Sequence, residues 1–464
     1  MDRRVQVTLG STITVEHPSI ELVAWCKENL TITNPEYAQK MRMHLWLGNT
    51  PRYLALYETR GTTLILPFGV LRRVMQFIGN ADVQTDFPQG TAINYGCSVP
   101  LYDYQEEAVD AVIRNHFGIL QSPAGSGKTQ MGIAAVAKLG KRTLWLTHTK
   151  DLLTQSKSRA ELYMDSALLG TITEGKVNIG EGITFATIQT MCRLDLSQYK
   201  HYWDVIIVDE CHRCSGTPTA MTQFSKVLSS LSARHKYGLS ATVHRSDGTI
   251  AATYALLGEI IHTVPDAAVG DRIMKVAVSP VGTGVPIHRK CLNTDGTLNY
   301  TKLISYLCET ESRNHIITQF IVENRDHPSL ILSDRLDHLR TLMEMLPADM
   351  QSMAVMVDGS MTSKKGKLAR EQAIEDMRNG RKKYLFASYT LAKEGLDIPC
   401  LERLYLTTPK KDYAVITQSI GRIARTHPGK QKPVCFDFVD NISYLVKTYK
   451  KRCATYRKQG CEII

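Results

Sequence analysis

Residues 117–136 read FGILQSPAGSGKTQMGIAAV. The apolar run from Phe117 to Gln121 predicts a buried strand, and the segment from Met131 to Val136 predicts a helix. Glycines in the loop between them let backbone N–H groups curl around a phosphate, and the start of the following helix adds a favourable dipole. This order of strand, loop and helix predicts a nucleotide-phosphate site, and the alternative is an ordinary glycine-rich turn.

The phosphate loop also predicts the cofactors, which are ATP and Mg²⁺. We expect Lys128 to reach the β- and γ-phosphates and the Thr129 hydroxyl to bind the metal ion. Ser122 stands where the usual pattern has its first glycine. The residues predicted to hold the nucleotide here are Ser122, Ala124, Gly125, Ser126, Gly127, Lys128 and Thr129.

Two acids, Asp209 and Glu210, directly follow a second apolar run at 205–208. Ligands of open α/β sheets bind at the carboxyl ends of the strands. We therefore predict that Asp209 holds Mg²⁺ and that Glu210 polarises the attacking water as a general base. The alternative is a pair of acids in a surface turn.

The whole 464-residue chain divides into three predicted domains. Residues 1–97 predict a small α+β domain, with strands at 6–9, 53–57 and 63–66 and helices near 19–29 and 69–78. Blocks 98–268 and 269–464 each alternate apolar strands with helices, which predicts two α/β domains with parallel sheets. Their predicted strands lie at 117–121, 143–147, 183–187, 204–209, 236–240, 329–333, 353–357, 383–387, 403–407 and 433–438.

Composition narrows the class of protein. A net charge of +11 suits a polyanionic partner, with an acidic membrane surface or plain solubility as alternatives. We expect no membrane span and a cytoplasmic location (the host cytoplasm if the chain is viral), because long apolar runs and a secretory signal are absent. The eleven cysteines form no framework, and Cys211 and Cys214 have no second pair that would complete a zinc site.

From about residue 98 to 460 the chain resembles the superfamily-2 helicases. The phosphate loop is accompanied by segments similar to eight further family motifs, all in the family's order. These segments are Leu101–Gln105, Thr143–His148, Ala186–Thr190, Asp209–His212, Leu239–Thr242, Ile331–Arg335, Ala392–Asp397 and Gln418–Arg425.

The resemblance implies two RecA-like domains and further site residues. Gln105 would read the adenine edge, and Gly395 and Asp397 would also bind the nucleotide. Ser240 and Thr242 would couple the ATP state to the grip on nucleic acid. His212, Gln418, Arg422 and Arg425 would join Lys128, Asp209 and Glu210 in hydrolysis, since guanidinium groups stabilise a phosphoryl group in transfer. An exposed, salt-bridged helix is the alternative for the two arginines.

Contacts to nucleic acid are expected on loops of both α/β domains, mostly to backbone phosphates because a stepping motor tolerates any sequence. Each candidate has the alternative of being an ordinary solvated loop residue. The candidates are Thr147, His148, Lys150, Thr187, Gln189, Ser388, Thr390 and Lys393.

Details within the motifs favour DNA. The last motif begins with Gln418, whereas RNA helicases of the DEAD-box group begin it with histidine, and the segment 240–248 is similar to one in XPB-like repair helicases and restriction motors. The N-terminal block most resembles that of UvsW-type phage branch-migration helicases. We predict a monomeric 3′→5′ helicase or translocase on forks and four-way junctions, in replication, recombination or repair. The alternatives are an RNA helicase, a duplex translocase or annealing motor, and an inactive nucleotide sensor.

For each of three further regions, the sequence allows two interpretations of its role. The cation-rich block 1–97 would bind branched DNA or serve as a folding or partner module. The basic stretch 447–458 would bind duplex arms or form a helix docked on the last domain. The Asp295-Gly296 pair would lie in a strand-separating wedge or in an ordinary hairpin turn.

The assignment of Glu210 as general base predicts the behaviour of Glu210→Gln. The variant should bind ATP and nucleic acid but hydrolyse ATP at least about 100-fold more slowly, because general-base catalysis contributes about 10²–10⁴-fold. Steady-state ATPase and nucleotide-binding assays measure both properties. Normal turnover in this variant would remove Glu210 from the role. An ATPase rate in Lys128→Ala equal to that of the wild type would favour the inactive sensor.

Overall fold

The computed structural model describes residues 5–78, 81–123, 125–218, 220–243, 249–270, 273–359, 361, 363–393, 396 and 398–464. Four predicted site features, Ala124, Gly395, Asp397 and the side chain of Lys393, lie outside the described part, as does the segment 244–248. The chain forms two compact units, Met1–Pro123 with Gly127–Ala268 and Ala124–Ser126 with Val269–Ile464.

The N-terminal domain is a small α+β fold. Its five-stranded sheet has the order β5-β6-β2-β1-β7, in which β1 and β7 are parallel and the other pairs antiparallel, and β3 and β4 form a separate pair. Its elements are β1 (Gln6–Leu9), β2 (Thr12–Glu16), α1 (Ile20–Asn29), β3 (Thr31–Thr33), α2 (Pro35–Arg42), β4 (Tyr53–Ala55), β5 (Glu58–Arg60), β6 (Thr63–Pro67), α3 (Leu71–Ile78) and β7 (Asp82–Thr85).

The first α/β domain contains an eight-stranded sheet of order β11-β10-β12-β9-β13-β14-β8-β15, parallel except for β11. Its central strands are buried along their length, as a sheet covered on both faces requires. Its elements are α4 (Asp103–Arg114), β8 (Phe117–Gln121), α5 (Lys128–Leu139), β9 (Thr143–Thr147), α6 (Lys150–Glu161), β10 (Leu169–Thr173), β11 (Lys176–Asn178), β12 (Ile183–Thr187), α7 (Ile188–Met191), β13 (Val205–Asp209), α8 (Gln223–Ser230), β14 (His235–Ser240), α9 (Ile250–Leu257), β15 (Ile260–Thr263) and α10 (Asp266–Val269).

The second α/β domain contains a seven-stranded parallel sheet of order β18-β19-β17-β20-β21-β16-β22. Its elements are β16 (Ala277–Pro286), α11 (Tyr300–Glu309), α12 (Glu311–Glu323), β17 (Ser329–Ser333), α13 (Leu336–Glu344), α14 (Ala348–Ser352), β18 (Ala354–Val357), α15 (Lys364–Arg378), β19 (Tyr384–Ser388), α16 (Tyr389–Lys393), β20 (Arg403–Leu406), α17 (Tyr413–Ile423), β21 (Val434–Asn441), α18 (Ser443–Lys458) and β22 (Glu462–Ile463).

The predicted fold class is confirmed, and every strand predicted for the α/β domains is present within a few residues. The structure also shows the local conformation of two regions that kept two interpretations, while their roles toward DNA stay predictions. The basic stretch 447–458 lies in α18, where Arg452 and Tyr456 are buried against Asp437, while Lys450 and Arg457 remain exposed. Residues 293–297 form a tight turn between the bridged residues Leu292 and Leu298.

Membrane insertion has no candidate element in the described residues, because no helix there combines the length and the apolar composition that crossing a bilayer requires.

The N-terminal domain packs directly on the first α/β domain. Lys236 of β14 is fully buried and donates to the carbonyl oxygens of Ser11 and Leu228, each at 3.0 Å, with its ammonium 4.9 Å from the centre of the Phe68 ring. At Gly69 a Cβ would lie 2.3 Å from the Tyr254 carbonyl oxygen and 2.3 Å from the Gly258 nitrogen. Lys236 and Gly69 both lie where the two domains meet. The close contact at Gly69 leaves no room for an extra methyl group.

We predict that Gly69→Ala loosens the N-terminal domain from the first α/β domain. The added methyl group would overlap backbone atoms, and overpacking of this kind costs about 1–3 kcal/mol. The unfolding midpoint should fall by several degrees and limited proteolysis near residue 90 should quicken. Gly282→Ala is the matched control, because nothing lies within 4 Å of a Cβ built there. Equal stability of the two variants would contradict this account.

Candidate nucleotide site

The phosphate loop has the backbone that its glycines predict. Gly125 and Gly127 both adopt a φ of +85°, and α5 begins immediately afterwards at Lys128. A Cβ at Gly127 would lie 2.5 Å from Nε2 of Gln105, which is itself buried. Position 127 therefore requires glycine for two reasons, its left-handed backbone and the amide packed against it.

Gln105 also fixes the segment that precedes this loop. Its Oε1 accepts a hydrogen bond from the Tyr102 backbone N–H at 3.1 Å, which satisfies a donor at the start of α4. The amide predicted to read adenine is thus held beside the phosphate loop. Its role in base recognition remains a prediction.

The Lys128 ammonium lies over the loop. Its Nζ donates to the carbonyl oxygens of Ser122 at 3.3 Å and Pro123 at 3.2 Å. Its positive charge also lowers the pKa of Asp209. The lysine and the acid predicted to flank one nucleotide are therefore electrostatic neighbours in this structure.

Asp209 ends β13 in a setting that disfavours its charge. Burial and the neighbouring charge of Glu210 raise the pKa of Asp209 to about 7, although Lys128 and hydrogen bonds from the Glu210 N–H and Ser156 lower it. A buried carboxylate with partly uncompensated charge is a hard oxygen donor of the kind that Mg²⁺ prefers, and the hydroxyl predicted to join it at Thr129 is another. The residues present therefore fit the predicted metal ion.

Glu210 has an unusual backbone. Its φ of +50° is in the left-handed region, which costs a non-glycine residue about 1 kcal/mol or more and persists only where surroundings enforce it. Its Oε2 lies 3.2 Å from Nδ1 of His212, the last residue of the DECH segment. The turn that carries Glu210 is thereby fastened to a second motif residue.

Ser240 joins three of the motifs. Its hydroxyl lies 3.0 Å from His212 Nδ1 and donates to the Thr242 carbonyl at 2.9 Å, while its carbonyl accepts from the Ser122 N–H at 3.0 Å. The same hydroxyl oxygen accepts a hydrogen bond from the Thr242 backbone N–H at 3.3 Å. We call Ser122, Glu210, His212, Ser240 and Thr242 the Ser240 cluster. It is a physical path between the phosphate loop, the hydrolytic acids and the third motif.

The last motif lies in the second unit, on α17 and directly after it. Arg422 donates from Nε to the Ala392 carbonyl at 2.8 Å and from Nη1 to the Leu396 carbonyl at 2.9 Å. Gln418 is buried, and Arg425 is partly exposed. In this structure Arg422 therefore braces the segment that resembles the fifth motif. Its action on a phosphoryl group, like that of Arg425, remains a prediction.

The predicted nucleic-acid contacts differ in how accessible they are. Thr147 and Thr187 are buried, and their hydroxyls make hydrogen bonds within the sheet region, with Thr149 O and Thr190 Oγ1. Exposed candidates are Lys150, which pairs with Glu174, and Thr390. The candidates His148, Gln189 and Ser388 are partly exposed. The side chains of Gln189 and Ser388 each make a hydrogen bond with a backbone atom.

Sequence reasoning missed two contributors to this region. Ser156 of α6 makes a hydrogen bond that lowers the pKa of Asp209, and Lys236 lies four residues before Ser240 on β14. Neither residue belongs to a recognisable motif. A lysine inside a run predicted as a buried strand was the available signal for Lys236, because an unpaired buried charge is costly and implies partners.

Two family models match the chain. The type III restriction enzyme res subunit model matches residues 98–245, and the helicase conserved C-terminal domain model matches residues 312–427.

Curated relatives carry helicase names. A protein of Acanthamoeba polyphaga mimivirus, named as an ATP-dependent RNA helicase, is 28% identical over 75% of this chain and 64% of its own length. A helicase of Invertebrate iridescent virus 6 is 24% identical over 94% of this chain and 98% of its own. The DNA 3′-5′ helicase XPB of Kineococcus radiotolerans is 26% identical over 64% of this chain and 52% of its own. The chain thus spans less than two thirds of the first and third of these relatives.

Two of the similar solved structures, with TM-scores above 0.5, share the fold at low identity. A fragment of an HsdR subunit of a type I restriction enzyme from Vibrio vulnificus has a TM-score of 0.57 and 18% identity, covering 79% of this chain and 68% of that one. Dbp5 of S. cerevisiae, bound to RNA, has a TM-score of 0.53 and 16% identity, covering 78% and 89%. Bacteriophage T4 UvsW covers 100% and 99% at 17% identity, with a TM-score of 0.43.

The raised pKa of Asp209 predicts how nucleotide binding responds to pH. Protons compete with Mg²⁺ for this carboxylate, so the affinity for Mg²⁺–nucleotide should fall as the pH drops below about 7, by up to roughly tenfold per pH unit. Titration with a fluorescent ADP analogue at pH 8, 7 and 6 measures the effect, with metal-free titrations as the control. An affinity that is flat across this range, or one that rises in acid, is the result that would refute it.

Proposed function

Since the chain belongs to the superfamily-2 helicases, which are nucleic-acid-dependent ATPases, we propose that it is a motor acting on branched DNA. It would unwind or migrate forks and four-way junctions with 3′→5′ polarity, in replication, recombination or repair. ATP would supply the energy, and Mg²⁺ bound with it would neutralise phosphate charge.

This proposal is supported by the position of Lys128, Asp209 and Glu210 at one edge of the sheet. Glu210 also belongs to the Ser240 cluster, which connects these acids to the phosphate loop. Lys128 would bind the terminal phosphates, and Asp209 with Thr129 would hold Mg²⁺. Glu210 would accept a proton from the attacking water. Arg422 and Arg425 would stabilise negative charge on the phosphoryl group in transfer.

The Ser240 cluster suggests how hydrolysis is coupled to movement. A change at Glu210 would reach His212 and then Ser240, whose backbone is bonded to Ser122 and whose hydroxyl is bonded to Thr242. A shift at the nucleotide would therefore move the loop that follows β14. This supports the coupling role proposed for Ser240 and Thr242.

Two observations favour DNA over RNA. The last motif begins with Gln418, and the XPB relative is named a DNA 3′-5′ helicase. RNA remains the second candidate, because the mimivirus relative is named an RNA helicase and Dbp5 shares the fold in an RNA complex.

A panel of nucleic acids tests the proposal. ATPase and strand-displacement rates would be measured with single-stranded DNA, duplex DNA, a fork, a four-way junction and RNA, with Lys128→Ala as the inactive control. We expect the fork and the junction to be processed fastest. Binding should weaken steeply with salt, by about 10³-fold or more between 50 and 200 mM if six or more phosphates are neutralised.

The panel also separates the alternatives. Stimulation by RNA equal to or above that by DNA would favour the RNA helicase, and ATP hydrolysis on duplex DNA without strand release would favour a translocase. A flat response to salt would contradict contacts to backbone phosphates.

A further inference from the structure

The N-terminal domain carries an exposed apolar loop that no motif accounts for. It begins in the last turn of α2 and ends at the first residue of β4, and we call residues 41–53 the aromatic loop. Trp46 is 89% exposed, and Met41, Met43, Leu45 and Tyr53 are each more than half exposed. Exposing large side chains is unfavourable in water, so a contiguous group of them marks an interaction surface.

The aromatic loop is held at both ends. Its last residue, Tyr53, opens β4, which pairs with β3. The buried Asn34 contacts the returning chain twice, because its side-chain nitrogen donates to the Pro51 carbonyl at 2.9 Å and its backbone N–H donates to the Arg52 carbonyl at 3.0 Å. The base of the loop is therefore fixed, which reduces the ordering cost of binding.

The interior of the loop is ordered as well. The Leu45 N–H donates to the Lys40 carbonyl at 2.9 Å, and the Lys40 ammonium donates to the Thr50 hydroxyl at 2.7 Å. A Cβ on Gly48 would lie 3.0 Å from a ring carbon of Trp46, so this glycine lies beside the indole. Trp46 thus stands on a braced turn with most of its surface in solvent.

The segment that contains Trp46 carries more cations than acids. The only acid between residues 35 and 53 is Glu36, and it pairs with Lys40 at 2.7 Å. Arg42 and Arg52 are both exposed, and the Arg52 guanidinium lies 5.2 Å from the centre of the Tyr53 ring. Residues 35–53 therefore combine aromatic faces with cations, and their one carboxylate is paired.

We propose that the aromatic loop binds unpaired bases, with Trp46 as the stacking platform and Arg42 and Arg52 as contacts to the adjacent phosphates. Every base has an aromatic face, whereas bases inside a duplex have both faces covered, so such a platform selects single strands and junctions. A protein is a less well matched partner, because this segment offers cations without complementary carboxylates. The inference rests on the proposed function and places the recognition of branched DNA in the N-terminal domain.

The test compares Trp46→Ala with wild type in the full-length protein. Stacking on an aromatic side chain is worth enough to change affinity about 5- to 100-fold, so the Kd for a fork with single-stranded arms should rise by that factor. The Kd for a blunt duplex should change little. Trp46→Phe should restore much of the affinity, and Ile20→Ala, which truncates an 86% exposed side chain of the same domain, should leave it unchanged.

Intrinsic fluorescence gives a direct readout of contact. Of the four tryptophans, Trp145 and Trp203 are buried, and Trp25 is partly buried with Arg73 over its ring. Stacking of a base on Trp46 should quench emission when oligo(dT) is added, and Trp46→Phe should abolish that quenching.

Two outcomes would overturn the inference while leaving the motor intact. In the first, Trp46→Ala binds the fork with wild-type affinity and keeps its DNA-stimulated ATPase activity. In the second, Trp46→Ala changes only the self-association of the protein, which would make the aromatic loop a contact between protein molecules. Absence of any nucleic-acid-stimulated ATPase in the wild type would instead refute the proposed function.

Discussion

The hydrogen bonds of Ser240 hold the carboxyl edge of the sheet together in the first α/β domain. The side chain and the carbonyl oxygen of this one residue join three loops there. The hydroxyl is bonded to the Thr242 carbonyl and lies 3.0 Å from His212 Nδ1. The same ring nitrogen lies 3.2 Å from Oε2 of Glu210, so His212 stands between Ser240 and the second acid. The burial that isolates the cluster from water is also what raises the pKa of Asp209.

The same strand carries a second connection at its other end. Lys236 and Ser240 are both on β14, and Lys236 is bound to the N-terminal domain through Ser11. A fully buried ammonium is costly, and burial lowers the pKa of Lys236 to about 7. Its two carbonyl acceptors and the Phe68 ring offset that cost. The N-terminal domain is consequently built into the first unit, so the aromatic loop is carried on a fixed support.

In the second unit, buried arginines hold the loops and the terminal helix. Arg452 forms a double hydrogen bond to Asp437, each at 2.8 Å, and Arg313 pairs with Asp440. Buried pairs of this kind add little net stability compared with apolar residues, but losing one partner strands a charge and costs about 3–5 kcal/mol. Arg422 serves similarly by holding two carbonyls of the 392–396 segment. Its guanidinium thus has a structural task in addition to the one predicted from its motif.

The sequence by itself determined the order of strands, loops and helices, because apolar runs, glycines and adjacent acids act over a few residues. It therefore predicted both α/β domains and brought Lys128, Asp209 and Glu210 to one edge. Only the tertiary structure decided which distant groups meet: Ser156 with Asp209, Lys236 with Ser11, and Arg422 with Ala392. It also showed that Thr147 and Thr187 are buried and that Trp46 is exposed. Such facts depend on what packs against each side chain, and a local pattern of residues carries no record of that.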